Sequence, residues 1–480
     1  MFRLLSRCLR PPSRPTRSWE RTVFCFNVQW QPSLDMEFVI ENKELIKENI
    51  KNRKIDVDLD SVLSDYDAYC KLKVEEQELK DRVTSLRKAV RGGGVSEEKK
   101  ATLTDQLCDL SDRTDVNRPA RKAAYIKHRD SAVDVPNSIS PHTPVGDYEK
   151  AQVVDTVGER PTFAFKHRDY IALSNIHRLL DQPSALFASG PNRMFLRGPA
   201  AMLEQAIISY VFQLIYSKPG FEPVLGPDII RESVVKACGY VPRGDKEQLF
   251  RLGGEDDDLV LSGTGELQIA GMCSSSGHPS HSLPRKYVTV SHCFRREAEG
   301  GMFYRMNQFS KVELFAITQN DVEKSDAVLM QFVNIQKEIL SSLGLHGRLL
   351  EMPTEELGNP AYRKLDFEVW MPGYDDYKEV CSASNCLDYQ ARRLQIYKGG
   401  YRTPRLPAYP DRVWLHTVNA TAAAIPRLII ALIETHQRED GTIGIPECLR
   451  PFLGNRECFS PPSPPRTKDF RGNNLIRDFH

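Results

Sequence analysis

The chain has 480 residues, with 65 Lys and Arg against 64 Asp and Glu, for a net charge of +1. This length implies two or three domains and a large core. The balanced charge excludes a globally basic nucleic-acid binder, so any basic surface must be local. No apolar run reaches the length of a membrane span. The 11 cysteines include no Cys-x-x-Cys pair and fit no common zinc pattern, so they read as buried thiols in a reducing compartment.

Residues 1–24 contain Arg3, Arg7, Arg10, Arg14, Arg17 and Arg21 against one acid, Glu20, with serines and leucines between them. An Arg-rich, acid-poor start that can form an amphipathic helix reads as a mitochondrial transit peptide, which implies a matrix location. The alternative is a basic arm that touches RNA directly.

A first helix is expected from Leu34 to about Arg53, on Phe38, Val39, Leu45, Ile46 and Ile50. Ser61 reads as the cap of the next. From Val62 to Val90 apolar residues recur with heptad spacing, Val62, Tyr69, Val83 and Val90 in one column and Leu72, Leu79 and Leu86 in the other, a coiled-coil pattern. Gly92, Gly93 and Gly94 break it. A helix capped by Ser96 then turns Leu103, Leu107 and Leu110 inward, and the two helices are expected to fold back as an antiparallel hairpin. Pro119 should kink or end the second helix. The cations of Arg121, Lys122, Lys127 and Arg129 form either a solvated face or a phosphate-contacting surface. Together, residues 34–132 read as a helical arm and the Pro-containing stretch 133–160 as a linker. Residues 161–455 follow as a second domain, and a Pro-rich basic tail at 456–480 is expected to be disordered.

In the second domain, Leu196 to Tyr216 reads as one amphipathic helix started by Gly198-Pro199, followed by a strand at Phe221–Leu225. A buried strand ending at Leu261 leads into Ser262-Gly263-Thr264-Gly265-Glu266. Thr264 and Glu266 share a side if strand geometry continues, and Thr264 caps a helix if it does not. The stretch from Tyr287 to Phe315 reads as two antiparallel strands joined by a polar loop containing Gly300-Gly301. Alternation puts Arg295 and Glu297 on one face, and Phe309, Lys311 and Glu313 on one face of the partner strand. That surface offers a cation for a phosphate, a ring for stacking and a carboxylate for an amine or hydroxyl. An ordinary hairpin with cross-strand ion pairs accounts for the same residues.

Phe294-Arg295-Arg296-Glu297 resembles the second signature motif of class II aminoacyl-tRNA synthetases, and Gln308 to Glu313 resembles the serine-specific family, the seryl-tRNA synthetases. The helix and strand ending at Gly226-Pro227 are similar to motif 1, which in that class builds a two-fold dimer interface. The string from Glu379 through Ser382, Ser384-Asn385-Cys386 and Asp388-Tyr389-Gln390-Ala391-Arg392-Arg393 follows the family pattern, with Cys381 in place of a usual serine. His416 to Leu432 resembles motif 3, with Ala422 and Pro426 replacing usual glycines. Pro426 therefore requires a helix to begin within a few residues of it.

The resemblance implies an α+β fold, a helical-hairpin arm that grips tRNA(Ser) followed by a class II catalytic domain whose antiparallel sheet is flanked by helices. It implies an aminoacyl-tRNA ligase that activates L-serine with ATP and Mg²⁺, without zinc or a membrane, as a homodimer. By the same carry-over, Arg295, Arg296, Glu297, Phe309, Glu379, Val380, Cys381, Ser382 and Arg427 would hold ATP, with Arg295, Glu297 and Arg427 closest to the chemistry. Glu379 and Ser382 would hold Mg²⁺ with the phosphates. Thr264, Gly265, Glu266, Glu313, Asn419 and Thr421 would bind serine. The departures at Cys381 and Pro426, together with a shortened motif 2 loop, also allow a paralogue that keeps the fold and an RNA-binding role but has lost activity.

Overall fold

The computed structural model describes residues 32–91, 97–240, 249–253, 258–296, 302–399, 412–462, 467–468 and 474–475. The segment expected to be a transit peptide, the expected turn at Gly92, Gly93 and Gly94, the expected cap at Ser96, and Glu297 lie outside the described residues.

The helix expected over 34–53 is two, α1 (Met36–Glu41) and α2 (Lys43–Asn52). Asn42 separates them: its side-chain amide donates to the Phe38 carbonyl at 3.0 Å, a local bond that competes with helix continuation. The next helix, α3 (Leu59–Arg91), starts before Ser61. Asp58 is its cap, accepting the N–H groups of Asp60 and Ser61 at 3.0 and 3.1 Å, which satisfies donors that a first turn leaves free.

Helix α4 (Glu97–Ala132) returns antiparallel to α3 and continues through Pro119 rather than ending there. The missing N–H and the ring clash are offset by contacts with α3 on either side of the proline. Asn117 donates to Glu75 at 3.0 Å, and Arg121 pairs with Glu76 at 2.5 Å. Glu76 falls in the heptad column between Tyr69 and Val83 and is buried. A polar group in such a seam fixes register. Of the cations on α4, Arg121, Lys127 and Arg129 pair with Glu76, Asp65 and Asp130, while Lys122 is exposed.

Eight strands form one sheet: β1 (Gln152–Val157), β2 (Phe221–Pro223), β3 (Arg285–Phe294), β4 (Gln308–Thr318), β5 (Gly347–Glu351), β6 (Arg363–Met371), β7 (Asp376–Asn385) and β8 (His416–Ala424). Their order is β1-β5-β6-β7-β8-β4-β3-β2. Every pairing is antiparallel except the one at the β2 edge, where β2 runs parallel to β3. The sheet thus takes its first strand, β1, from the stretch expected to be linker. Val153 to Val157 pair with β5, and Asn137 donates to the carbonyls of Pro360 and Cys386.

Strand alternation sorts the chain between the two faces. Val312, Leu314 and Ala316 of β4 and Val418 and Ala422 of β8 point into the main core. There they meet Ile207, Val211 and Ile215 from the helix Pro199–Tyr216, Phe332 and Ile339 from Val322–Ser342, and Leu428 and Leu432 from Ile425–Thr435. The opposite face carries Phe309, Lys311, Glu313, Asn419 and Thr421 around a cavity. Pro426 sits in the first turn of its helix, as its missing N–H requires.

The tail is ordered further than expected. Cys458–Phe459 pairs with Ile443–Gly444, and Phe459 is buried in the core. Beyond it, Thr467–Lys468 pairs with Asn474–Leu475.

Candidate active site

Glu313 lies at the closed end of the cavity, 2% exposed. Thr421 Oγ1 donates to its Oε1 at 2.7 Å, and Thr264 Oγ1 lies 3.3 Å from its Oε2. Lys311, one alternation away on β4, brings Nζ to 2.5 Å from Glu313 Oε1 and donates to Thr264 and Thr421 at 2.9 and 3.3 Å. Alternation along the strand predicts Lys311 on this face without assigning it a role. Its spacing from Phe309 and Glu313 was the signal.

Thr264 does not cap a helix with its side chain, and the strand does not continue. The helix Gly265–Met272 begins directly after it, which puts Glu266 in the first turn, and both still line the cavity. Gly265 stands behind the wall rather than on it. A Cβ there would lie 2.9 Å from Ser291 Oγ and from Thr289 Cγ2 and 3.1 Å from Glu313 Cγ, so only glycine lets this helix start against β3 and β4. Burial pushes the Glu266 carboxyl above its usual range, against a hydrogen bond from Gln390.

At the open end, Arg295 donates through Nε to the Gly263 carbonyl at 3.1 Å. Its guanidinium lies 5.5 Å from the centre of the Phe309 ring and 6.0 Å from that of Tyr240. Arg427 Nη1 donates to the Glu379 carbonyl at 3.0 Å and lies 3.2 Å from Glu379 Oε2, over the Tyr304 ring at 4.5 Å. Burial works to raise the Glu379 carboxyl. The charges of Arg427 and Lys364 outweigh it and hold the group at about 2. Lys364 lines the same wall and pairs with buried Asp366 at 2.5 Å. Burial pushes that carboxyl up to about 7.

Glu379 and Ser382 are three residues apart on one strand, so plain alternation would set them on opposite faces. The register with β6 shifts here: Phe367 pairs with Cys381 and Glu368 with Glu379, leaving Val380 as the extra residue. That bulge turns both Glu379 and Ser382 to the cavity. It also sends Cys381 into the core, where its thiol, raised by burial, lies 3.4 Å from the Ala422 carbonyl.

Of the residues expected at the site, Thr264, Glu266, Arg295, Phe309, Glu313, Glu379, Val380, Ser382, Asn419, Thr421 and Arg427 line this one cavity. Arg296 does not; it is exposed, with its guanidinium 5.1 Å from the Phe250 ring centre. Cys381 and Gly265 back the wall. Tyr240, Tyr304, Arg305 and Lys364 line the cavity without having been singled out. Tyr304 and Arg305 lie between the two strands of the expected hairpin, and Tyr240 and Lys364 lie outside the recognisable strings, where nothing in the local pattern marks them.

An antiparallel hairpin bearing Arg295 and Phe309, beside a strand-to-helix element bearing Arg427, defines the catalytic core of a class II aminoacyl-tRNA synthetase. Residues 250–436 match the family described as the tRNA synthetase class II core domain (G, H, P, S and T). A mitochondrial serine–tRNA ligase of Mus musculus is 35% identical over 446 residues, covering 90% of this chain and 85% of that protein. A serine–tRNA ligase of Rubrobacter xylanophilus is 35% identical over 435 residues, covering 89% of this chain and 99% of that protein. The crystal structure of seryl-tRNA synthetase from Pyrococcus horikoshii complexed with ATP superposes with a TM-score of 0.77 at 28% identity, covering 90% of this chain and 100% of that one. The chain belongs to the seryl-tRNA synthetase family and is an aminoacyl-tRNA ligase, a serine–tRNA ligase.

Proposed function

We propose that this ligase works in two steps in the mitochondrial matrix, as a homodimer, to charge tRNA(Ser) for translation. In the first, a serine carboxylate oxygen attacks the α-phosphorus of ATP; the new P–O bond forms as the bond to the β-phosphate bridge breaks, and pyrophosphate leaves. In the second, a terminal ribose hydroxyl of the tRNA attacks the acyl carbon, and AMP leaves. Neither step needs a protein nucleophile, so positioning and charge neutralisation supply the rate.

Arg295 bridges the reacting carboxylate and the α-phosphate, and Phe309 stacks on adenine, with Glu297 meeting its amino group. Arg427 takes the terminal phosphate through its planar fork. Glu379 and Ser382 fit the oxygen-donor chemistry of Mg²⁺, since the carboxyl is ionised and the cavity leaves room for ligand waters. The ion would neutralise phosphate charge. Glu266 takes the serine ammonium. Glu313 reads the hydroxyl, with Thr264, Asn419 and Thr421 around it.

The carrying observation is the set of hydrogen bonds that ties buried Glu313, Lys311 and Thr264 to half-buried Thr421 at the closed end. Groups built to bond a hydroxyl are left unpaired by alanine, and such sites discriminate by about 10⁴ or more. The mitochondrial part is supported by the Arg-rich start and by mitochondrial relatives. The two-fold interface is supported by exposed Phe187, Phe195 and Leu225 near the motif 1 element. Contact of the arm with tRNA falls to outward cations such as Lys122, because Arg121, Lys127 and Arg129 pair with acids of the arm.

The test is ATP–pyrophosphate exchange with a panel of amino acids, followed by charging of mitochondrial tRNA. Serine is expected to support exchange far above alanine, threonine and proline. Absence of serine-dependent exchange by the pure protein would overturn the reading in favour of a degenerate paralogue. Such a paralogue has no support in the cavity, since Cys381 faces the core and Pro426 fits its helix start.

A further inference from the structure

Gln390 is fully buried and makes no contact with the outside, yet every part of its amide is engaged. Its Nε2 donates to Glu266 Oε1 at 2.5 Å and to the Cys238 carbonyl at 3.2 Å, and its Oε1 accepts from Thr417 Oγ1 at 2.7 Å. Glu266 lines the cavity, whereas Gln390 does not. An amide at this point supplies a neutral donor to a carboxylate that must stay ionised in a buried place. A lysine would neutralise that charge, and a hydrophobic side chain would leave it without a donor.

The backbone under Gln390 is held from the other side. It belongs to the short helix Tyr389–Leu394. Arg393, also buried, donates to the carbonyls of Val133 and Tyr389 at 3.0 Å each, and Tyr389 Oη donates to the Val133 carbonyl at 3.2 Å. Val133 follows the end of the arm's second helix. The side chain that holds Glu266 therefore stands on a helix anchored at the joint between arm and catalytic domain.

We propose that Gln390 is a positioning residue for the amino-acid end of the cavity: it fixes the rotamer of Glu266 and keeps its carboxylate ready for the substrate ammonium. The proposal rests on the reading of Glu266 as the ammonium ligand. The groups that face Glu266 are Gln390, Lys311 and Glu313 from β4, Asn419 from β8, and the buried thiols Cys238 and Cys386. Gln390, Asn419 and Lys311 favour the charged form of Glu266; burial and Glu313 oppose it. Deleting the Gln390 donor removes one of the favourable contacts, so protonation of Glu266 moves to higher pH.

The experiment compares Gln390→Ala, Gln390→Glu and Glu266→Gln in serine-dependent ATP–pyrophosphate exchange, with thermal melts to confirm folding. For Gln390→Ala the KM for serine should rise about 10-fold or more, the range of a lost hydrogen bond to a charged group. The KM for ATP should stay within about twofold, because Gln390 is remote from the nucleotide end. The acid limb of the serine kcat/KM profile should move to higher pH. Gln390→Glu, isosteric but acidic, should show a larger rise in serine KM that lessens as pH falls toward the point where the two carboxyls share a proton. If Glu266→Gln leaves the serine KM unchanged, the ammonium reading itself is wrong. If Glu266→Gln raises that KM and a folded Gln390→Ala does not, or raises it without moving the acid limb, Gln390 is packing only and the proposal is overturned.

Discussion

Lys311 Nζ and Glu313 Oε1 lie 2.5 Å apart on one strand, with 7% and 3% of their side chains exposed. Each is the other's nearest opposite charge in a wall that must also admit a polar substrate. Removing one member of such a pair strands a buried charge and costs about 3–5 kcal/mol. Lys311→Met is therefore expected to lower stability by an amount in that range, read by urea denaturation. The double variant Lys311→Met with Glu313→Leu should recover most of it while abolishing serine activation. A Lys311→Met protein with an unchanged midpoint would show that the pair contributes nothing to the fold.

Cys381 departs from the serine usual at its position, but the bulge at Val380 turns it into the core. Cys381→Ser should leave the KM for ATP within about twofold and cost about 1 kcal/mol or less, since a hydroxyl can still donate to the Ala422 carbonyl. A several-fold gain in ATP affinity would mean that this side chain reaches the nucleotide after all.

Arg53 is buried at the root of the arm, where backbone carbonyls meet its guanidinium. It donates to Asn49 on its own helix, to the carbonyls of Asn137 and Ser138, and to those of Gly358 and Ala361 in the catalytic domain. Arg53→Ala leaves several buried acceptors without donors, at about 1–3 kcal/mol each. Stability should fall by about 3 kcal/mol or more. In the fraction that stays folded, tRNA charging should fall more than serine-dependent exchange, because the arm's direction is set here and the cavity is not. Equal losses in both assays would argue against a joint-specific role.

Glu434 is fully buried, accepting the N–H groups of Tyr170 and Gly373 at 2.8 Å each. Burial outweighs these bonds and pushes its carboxyl from the ordinary 4.5 to about 7. A carboxyl raised in the folded state gives stability that is whole below about 4.5 and is lost as pH climbs to about 7, because the unfolded chain releases the proton first. Thermal midpoints should decline across that window. Glu434→Gln should lessen the decline, leaving the share that comes from Asp366, while lowering the midpoint throughout, since its amide nitrogen would face one of the two backbone donors. A variant with the parent's slope would assign the pH dependence to another group.

What the sequence determined by itself was periodic or local. Heptads gave the arm hairpin, alternation gave the β3–β4 hairpin and the shared face of Phe309, Lys311 and Glu313, and Pro426 marked a helix start, because each follows from backbone geometry over a few residues. The resemblance supplied candidate roles, and most of those residues do share one cavity. Only the tertiary structure decided the rest. The bulge at Val380 depends on how β7 registers against β6, so the facing of Glu379, Cys381 and Ser382 could not be read from spacing. Helix α4 runs through Pro119 because α3 holds it from the side. β1 joins the sheet from a stretch with linker composition because β5 offers it an unpaired edge. Gln390 reaches Glu266 across 124 positions of chain. Contacts between segments far apart in the chain carry no local pattern, and it is those contacts that close the site.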